Sequence, residues 1–208
     1  MRPTYRWFER CLREARVGFL FAPMLHGAMK HAIGPASRNR RAGRCSISSA
    51  RSRIPAGARC QCSAVYDAAL APLMAGVLRN LGSRRCFVVH GHDGLDELTI
   101  TGPSHVAELA DGNVREYDFS PEDVGLSCAR LEELVADGEA HSAAVLRGVL
   151  AGEKGPCRDV VLLNAGAAIA AAGAAESIGD GIQRAAESID GGGARQALET
   201  LVRLSNES

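Results

Sequence analysis

Cys86-Phe87-Val88-Val89-His90-Gly91-His92-Asp93-Gly94-Leu95-Asp96-Glu97 is the stretch that decides the fold. Its first part, Cys86 to Val89, is an unbroken apolar and β-branched run, the pattern of a strand buried on both faces. Gly91 and Gly94 then allow the backbone to turn sharply at the strand's C-terminal end. That end is where open α/β sheets bind ligands, and here it carries Asp93, Asp96 and Glu97. Hard carboxylate oxygens on such a turn suit Mg²⁺, which takes one or two carboxylates and fills its shell with water and substrate phosphates. A solvated acidic turn is the plainer alternative, and the turn alone does not choose between them.

Before this strand, Asp67 can cap a helix over Ala68–Leu81 that Gly82 closes; its stripe of Leu70, Leu73, Met74, Val77 and Leu81 is expected to face the core. A helix running straight into a strand is an α/β unit. After it, Thr99–Thr101 and Val106–Leu109 read as strands, Gly112-Asn113 as a hairpin signal, and Val114–Phe119 as an alternating strand. Ser120-Pro121-Glu122-Asp123 starts a helix. Further helices are expected over 141–150, 158–172, 177–189 and 194–204. The stretch Asp159–Ala175 is nearly all Ala, Val, Leu and Gly, a helix packed closely on the sheet. Asn164 sets one polar group in that cylinder, and is expected to be a satisfied structural hydrogen bonder rather than a ligand contact.

The first third differs. Residues 8–15 have the spacing of an amphipathic helix and 24–33 of a second one, ended by Gly34-Pro35. Residues 36–64, rich in Arg, Ser, Ala and Cys, show no usable period and are expected to be irregular and outside the core. The formal net charge of zero conceals a split: Met1–Tyr66 holds 13 basic and 2 acidic residues, the remainder 11 and 22. A basic arm of that kind suits nucleic acid or a presequence, but the apolar, Gly- and Pro-punctuated Val17–Pro35 fits neither. No apolar stretch reaches the length of a membrane span, and Arg2, Arg6, Arg10 and Arg13 interrupt any signal peptide. The seven cysteines are odd in number and irregularly spaced, and Cys86, Cys128 and Cys157, in otherwise ordinary sequence, read as free thiols of a reducing cytoplasm. Cys60-Gln61-Cys62 lacks the second Cys or His pair that zinc requires.

With these pieces assembled, the chain resembles the anthranilate phosphoribosyltransferase family. The motifs are Val17-Gly18-Phe19-Leu20-Phe21-Ala22-Pro23-Met24-Leu25-His26, Ala28–Ala32, Val65-Tyr66-Asp67, Val88–Glu97, Gly152-Glu153-Lys154-Gly155-Pro156, Arg158-Asp159 and Leu162-Leu163-Asn164-Ala165. The resemblance implies a C-terminal α/β phosphoribosyltransferase domain over 65–208, a remnant of a small helical domain over 1–35, and an aberrant segment over 36–64. It also implies transfer of the phosphoribosyl group of phosphoribosyl pyrophosphate to anthranilate in tryptophan biosynthesis, with Mg²⁺ held by Asp96 and Glu97. His26 and, a helical turn later, Lys30 match positions near the anthranilate pocket. A homodimer through the helical domain follows from the same resemblance. Pyrimidine nucleoside phosphorylase is a relative of similar architecture, but Asp93-Gly94-Leu95-Asp96-Glu97 and the helix after Pro23 fit the first family better.

Two departures stand out. The family's glycine-rich Gly-Thr-Gly-Gly-Asp loop and its Lys-His-Gly-Asn segment have no counterpart in this sequence, so reduced or no activity is expected of this chain, with a non-catalytic remnant or binding subunit as the alternative. The stretch Arg44–Pro55 reads as the family's Leu-Phe-Asp-Leu-Leu-Gly-Pro-Leu-Thr-Asn-Pro translated in a shifted frame, with the frame restored near Gln61–Val65. The arginines of that segment then carry no nucleic-acid function, and sequencing of the coding DNA tests the idea. On this reading helices near 5–33 lack partner helices and expose Phe19, Leu20 and Phe21.

Overall fold

A computed structural model describes residues 3–19 and 58–207. Among the described residues four strands form one sheet in the order β1 (Cys60–Ala64), β2 (Arg85–Gly91), β3 (Ser104–Ala110), β4 (Asn113–Phe119). The β1–β2 pair is parallel and the other two pairs are antiparallel. The described helices are α1 (Pro3–Glu14), α2 (Ala71–Asn80), α3 (Gly138–Leu150), α4 (Pro156–Ala171), α5 (Ile178–Asp190) and α6 (Gly193–Asn206). This is the expected α/β class, with helices on both faces of the sheet.

β2 is central because it is apolar on both sides. Cys86 and Val88 pack with Ala107 and Leu109 under Ala71, Ala75 and Leu78 of α2. Phe87 and Val89 join Val106 in the larger cluster, under Leu162, Leu163 and Ala167 of α4 and Ile178 and Ile182 of α5. At roughly 25 cal/mol per Å², burial of such side chains supplies most of what holds the sheet between its helices.

Four expectations are corrected. Residues 60–64, read as the end of an irregular segment, form strand β1, in register from Cys60 opposite Arg85 to Ala64 opposite Val89. Main-chain pairing to the buried β2 overrides their weak strand propensity. α2 buries Ala71, Ala75 and Leu78, while Leu73 (65% exposed), Val77 and Leu81 face outward. Small side chains let a helix lie close on a sheet, and here closeness outweighs the apolar stripe. Thr99 is irregular and Ile100 and Thr101 are bends instead of a strand, because the hydroxyls of Thr99 and Thr101 are used within the adjacent turn. The hairpin turn is Asp111-Gly112, one residue earlier than expected, with φ of +50° and +77°, the left-handed pair that a two-residue turn needs.

α1 does find a partner helix. Cys11 and Ala15 bury against Leu204 of α6, with Trp7 and Leu201 alongside, and Trp7 Nε1 donates to Leu204 O at 3.3 Å. Phe19 is exposed as expected; Leu20, Phe21 and the helix expected over 24–33 lie outside the described residues. So does residues 36–57 of the segment read as aberrant.

At the N-terminal end of β2 the sheet carries a buried carboxylate. Glu108 (2% exposed) accepts from Arg85 Nη2 at 3.3 Å, Arg115 Nη2 at 2.7 Å and Tyr117 OH at 3.1 Å. Arg85 also donates to Ala170 O at 2.9 Å, closing the C-terminal end of α4. Burial, then the neighbouring Glu108 charge, pushes the Tyr117 phenol up.

Candidate functional site

β2 delivers the chain to Gly91, where a side chain has no room: an added Cβ would lie 2.5 Å from Asp93 Oδ1 and 3.2 Å from Thr99 Cβ. The turn closes through Gly94 N donating to Gly91 O and Gly91 N donating to Leu95 O, both at 2.9 Å. Gly94 has φ +92°, a conformation that suits glycine.

Asp93 organises this turn. Its Oδ2 accepts from the hydroxyls of Thr99 and Thr101, each at 2.6 Å, and its Oδ1 from Leu95 N at 3.0 Å. Burial pushes its carboxyl up, but the hydrogen bonds from Thr101, Thr99 and Leu95 outweigh it and the net direction is down. A carboxylate so engaged serves the loop's shape.

Asp96 and Glu97 follow on the exposed side of the turn. Directly after them the chain dives inward: Leu98 and Ile100 are 0% exposed and Thr99 1%. The two carboxylates are thus carried at the surface by a segment anchored in the core. Desolvation, then the charges of Asp96 and Asp93, holds the Glu97 carboxyl above its usual range. A cation seated between these groups would relieve that repulsion. Among the described residues no group of three or more His, Cys, Asp or Glu side chains stands ready to enclose a metal. Two adjacent exposed carboxylates are the donor set of an ion that finds the rest of its shell in water or phosphate oxygens, as Mg²⁺ does.

Next to the turn lies a cluster the sequence did not signal. His92 Nε2 is 3.6 Å from Asp118 Oδ1, and His105 lies 3.2 Å from both Asp118 and Glu116. Antiparallel pairing sets His105 opposite Asp118, and no spacing along the chain reveals that. His26 and Lys30 lie outside the described residues. Cys60 and Cys62 sit on β1, where burial raises the Cys62 thiol to about 11.

Asn164 of α4 is satisfied, as expected. Its Oδ1 accepts from Leu98 N at 3.1 Å, and its Nδ2 donates to Leu98 O at 2.8 Å and Val160 O at 3.0 Å. It thereby ties the helix to the residue that follows Glu97.

The profile described as "Glycosyl transferase family, a/b domain" matches residues 1–195. The chain belongs to this family. It is 49% identical over 198 residues to the anthranilate phosphoribosyltransferase of Moorella thermoacetica, covering 93% of this chain and 57% of that protein. Against the enzyme of the same name from Trichlorobacter lovleyi it is 46% identical over 200 residues, covering 95% and 56%. The crystal structure of anthranilate phosphoribosyltransferase from Thermus thermophilus superposes with a TM-score of 0.78 at 35% identity, over 95% of this chain and 58% of that one. The Saccharomyces cerevisiae enzyme in complex with phosphoribosyl pyrophosphate and Mg superposes with a TM-score of 0.64 at 27% identity, over 71% and 43%. The chain spans a little over half the length of the curated relatives it matches.

Proposed function

We propose that the chain acts in phosphoribosyl transfer from phosphoribosyl pyrophosphate to anthranilate, with Asp96 and Glu97 as the metal-holding pair. The observation that carries this is two adjacent exposed carboxylates at the exit of a buried strand, on a turn fixed from both sides. The yeast relative bound to phosphoribosyl pyrophosphate and Mg supports it.

In this reaction the anthranilate nitrogen displaces pyrophosphate from the ribose carbon, through a transition state with oxocarbenium character. Bound Mg²⁺ supplies charge neutralisation and a template for the departing diphosphate. The chain's own residues provide the rest. Asp93 shapes the turn, and Asp96 and Glu97 present oxygens at its rim. His26 and Lys30 are assigned to the anthranilate side by resemblance, together with a homodimeric state that sedimentation would read. Among the described residues no helix is long and apolar enough to cross a membrane; with free thiols at Cys11, Cys60, Cys62, Cys86, Cys128 and Cys157, this supports a cytoplasmic location.

Titration calorimetry with magnesium pyrophosphate tests the metal assignment: the full chain should give heats that the Asp96→Ala/Glu97→Ala double variant loses. Equal heats for the two reject the assignment. A fluorescence assay of anthranilate consumption, with Mg²⁺ and phosphoribosyl pyrophosphate, then separates an enzyme from a subunit that only binds.

A further inference from the structure

We propose that Asn164 is a positioning residue for the metal-binding turn: it acts through the backbone of Leu98 to fix where Asp96 and Glu97 stand. This rests on the reading of those two carboxylates as the cation-holding pair.

The argument begins with the hydrogen-bond ring. A primary amide is the side chain that can answer a peptide's N–H and its C=O together, because it carries an acceptor and two donors side by side. Asn164 uses this capacity in full on Leu98, accepting at 3.1 Å and donating at 2.8 Å. Both carbonyl partners, Leu98 O and Val160 O, can only accept, so the orientation of the amide is forced. The third bond, back to Val160 on the preceding turn of α4, fixes the side chain against its own helix.

The helix that carries Asn164 is itself held. Two residues further on, Gly166 faces α5 so closely that an added Cβ would meet Ile182 N at 2.8 Å and Ile178 O at 2.9 Å. A backbone-to-backbone crossing leaves α4 little freedom to slide. The rigidity of the helix pair therefore passes through one side chain to a residue 66 positions earlier in the chain.

At the other end of the turn, Asp93 folds the loop on itself through Thr99 and Thr101. That contact sets the loop's shape but not its position on the domain. Of the hydrogen bonds described above, the Asn164 pair is the one that joins the residue after Glu97 to a helix. Thr99 N also donates to Ser104 Oγ at 3.0 Å and His92 N to Pro103 O at 3.1 Å, which ties the turn to β3. The Asn164 pair adds the tie of Leu98 to α4, and its loss lets the carboxylates shift, where displacements of about 1 Å suffice to spoil a binding geometry.

A merely structural asparagine and a positioning one differ in where their loss is felt. The test compares the full chain with Asn164→Ala and Asn164→Asp by amide hydrogen exchange, thermal unfolding and titration with magnesium pyrophosphate. Asn164→Ala should speed exchange at Leu98 by roughly tenfold or more, leave the β3 and β4 amides unchanged, and weaken magnesium pyrophosphate by about tenfold, as loss of a residue supporting metal ligands does. Asn164→Asp keeps an acceptor for Leu98 N but no donor for Leu98 O, so it should fall between. Leu98 exchange within twofold of the parent overturns the inference. So does an increase spread evenly over the chain with a matching drop in melting temperature, or an affinity unchanged in both variants. If the Asp96→Ala/Glu97→Ala control shows that the parent's heats do not come from these carboxylates, the cation reading falls, while the exchange data still decide whether Asn164 clamps the turn.

Discussion

Gly181 of α5 presses against the carbonyl of Gly166 on α4, so closely that a methyl group on it would overlap the Gly166 backbone. The helices that cover the larger core cluster thus cross main chain to main chain. Elsewhere in a helix, Gly to Ala gains about 1 kcal/mol. Gly181→Ala should instead destabilise by about 1–3 kcal/mol, as overpacking does. Urea unfolding reads this, and a variant as stable as the parent would show that the helices can separate at little cost.

Asp93 concentrates the turn's internal hydrogen bonds on one carboxylate. Its folded-state carboxyl sits below the ordinary 3.8. Its contribution is therefore present above that value and lost as pH falls through the lower, folded one. Asp93→Asn should cost about 1–2 kcal/mol at neutral pH, and the difference from the parent should shrink in acid. A difference independent of pH would mean that the charge does not matter to the bonds from Thr99 and Thr101.

Glu97 behaves oppositely. Its carboxyl is raised above 4.5 by desolvation and by Asp96 and Asp93, so its contribution to stability is present below 4.5 and lost as pH rises through the folded value. Between pH 4.5 and 7, Glu97→Gln should gain stability relative to the parent. Over the same window the parent's affinity for magnesium pyrophosphate should increase as Glu97 ionises. Melting curves and titrations at stepped pH check both trends, and parallel rather than opposed trends would contradict the picture.

Glu108 is buried with two arginines and a tyrosine on its oxygens. Glu108→Ala leaves Arg85 without its counter-ion beside the core and should cost about 3 kcal/mol or more. Tyr117→Phe removes one hydrogen bond and should cost about 1 kcal/mol. Chemical denaturation of the two variants ranks them, and a smaller loss for Glu108→Ala than for Tyr117→Phe would refute the assignment.

The orientation of α2 is open to a simple comparison. Leu78→Ala, at a position 1% exposed, should cost about 2–5 kcal/mol. Leu73→Ala, 65% exposed, should stay within about 0.5 kcal/mol. Equal losses would place both leucines in the core.

Much of this was legible in the sequence, for local reasons. The strand Cys86–Val89 and the glycines after it announce a buried strand and its turn, because both depend on the residues themselves. Asn164 could be singled out because it interrupts an apolar helix, although its partner could not be named from residues 66 positions away. What escaped depends on distance across the fold. Which side of α2 meets the sheet is settled by how closely Ala71 and Ala75 let it approach. His105 meets Asp118 because β3 and β4 pair in one register. β1 is a strand because β2 offers it a ladder, and nothing in Cys60-Gln61-Cys62 says so.

That last strand has an evolutionary corollary. Its tie to β2 is made in part of peptide groups, which every sequence possesses, alongside the packing of Cys62 and Ala64 on the core, so small side chains of varied kind can be absorbed there more readily than on β2. Altered spelling is tolerable there provided the number of letters is kept, whereas adding or dropping a single residue would slide Tyr66 and the helix beyond it out of alignment with everything they rest on.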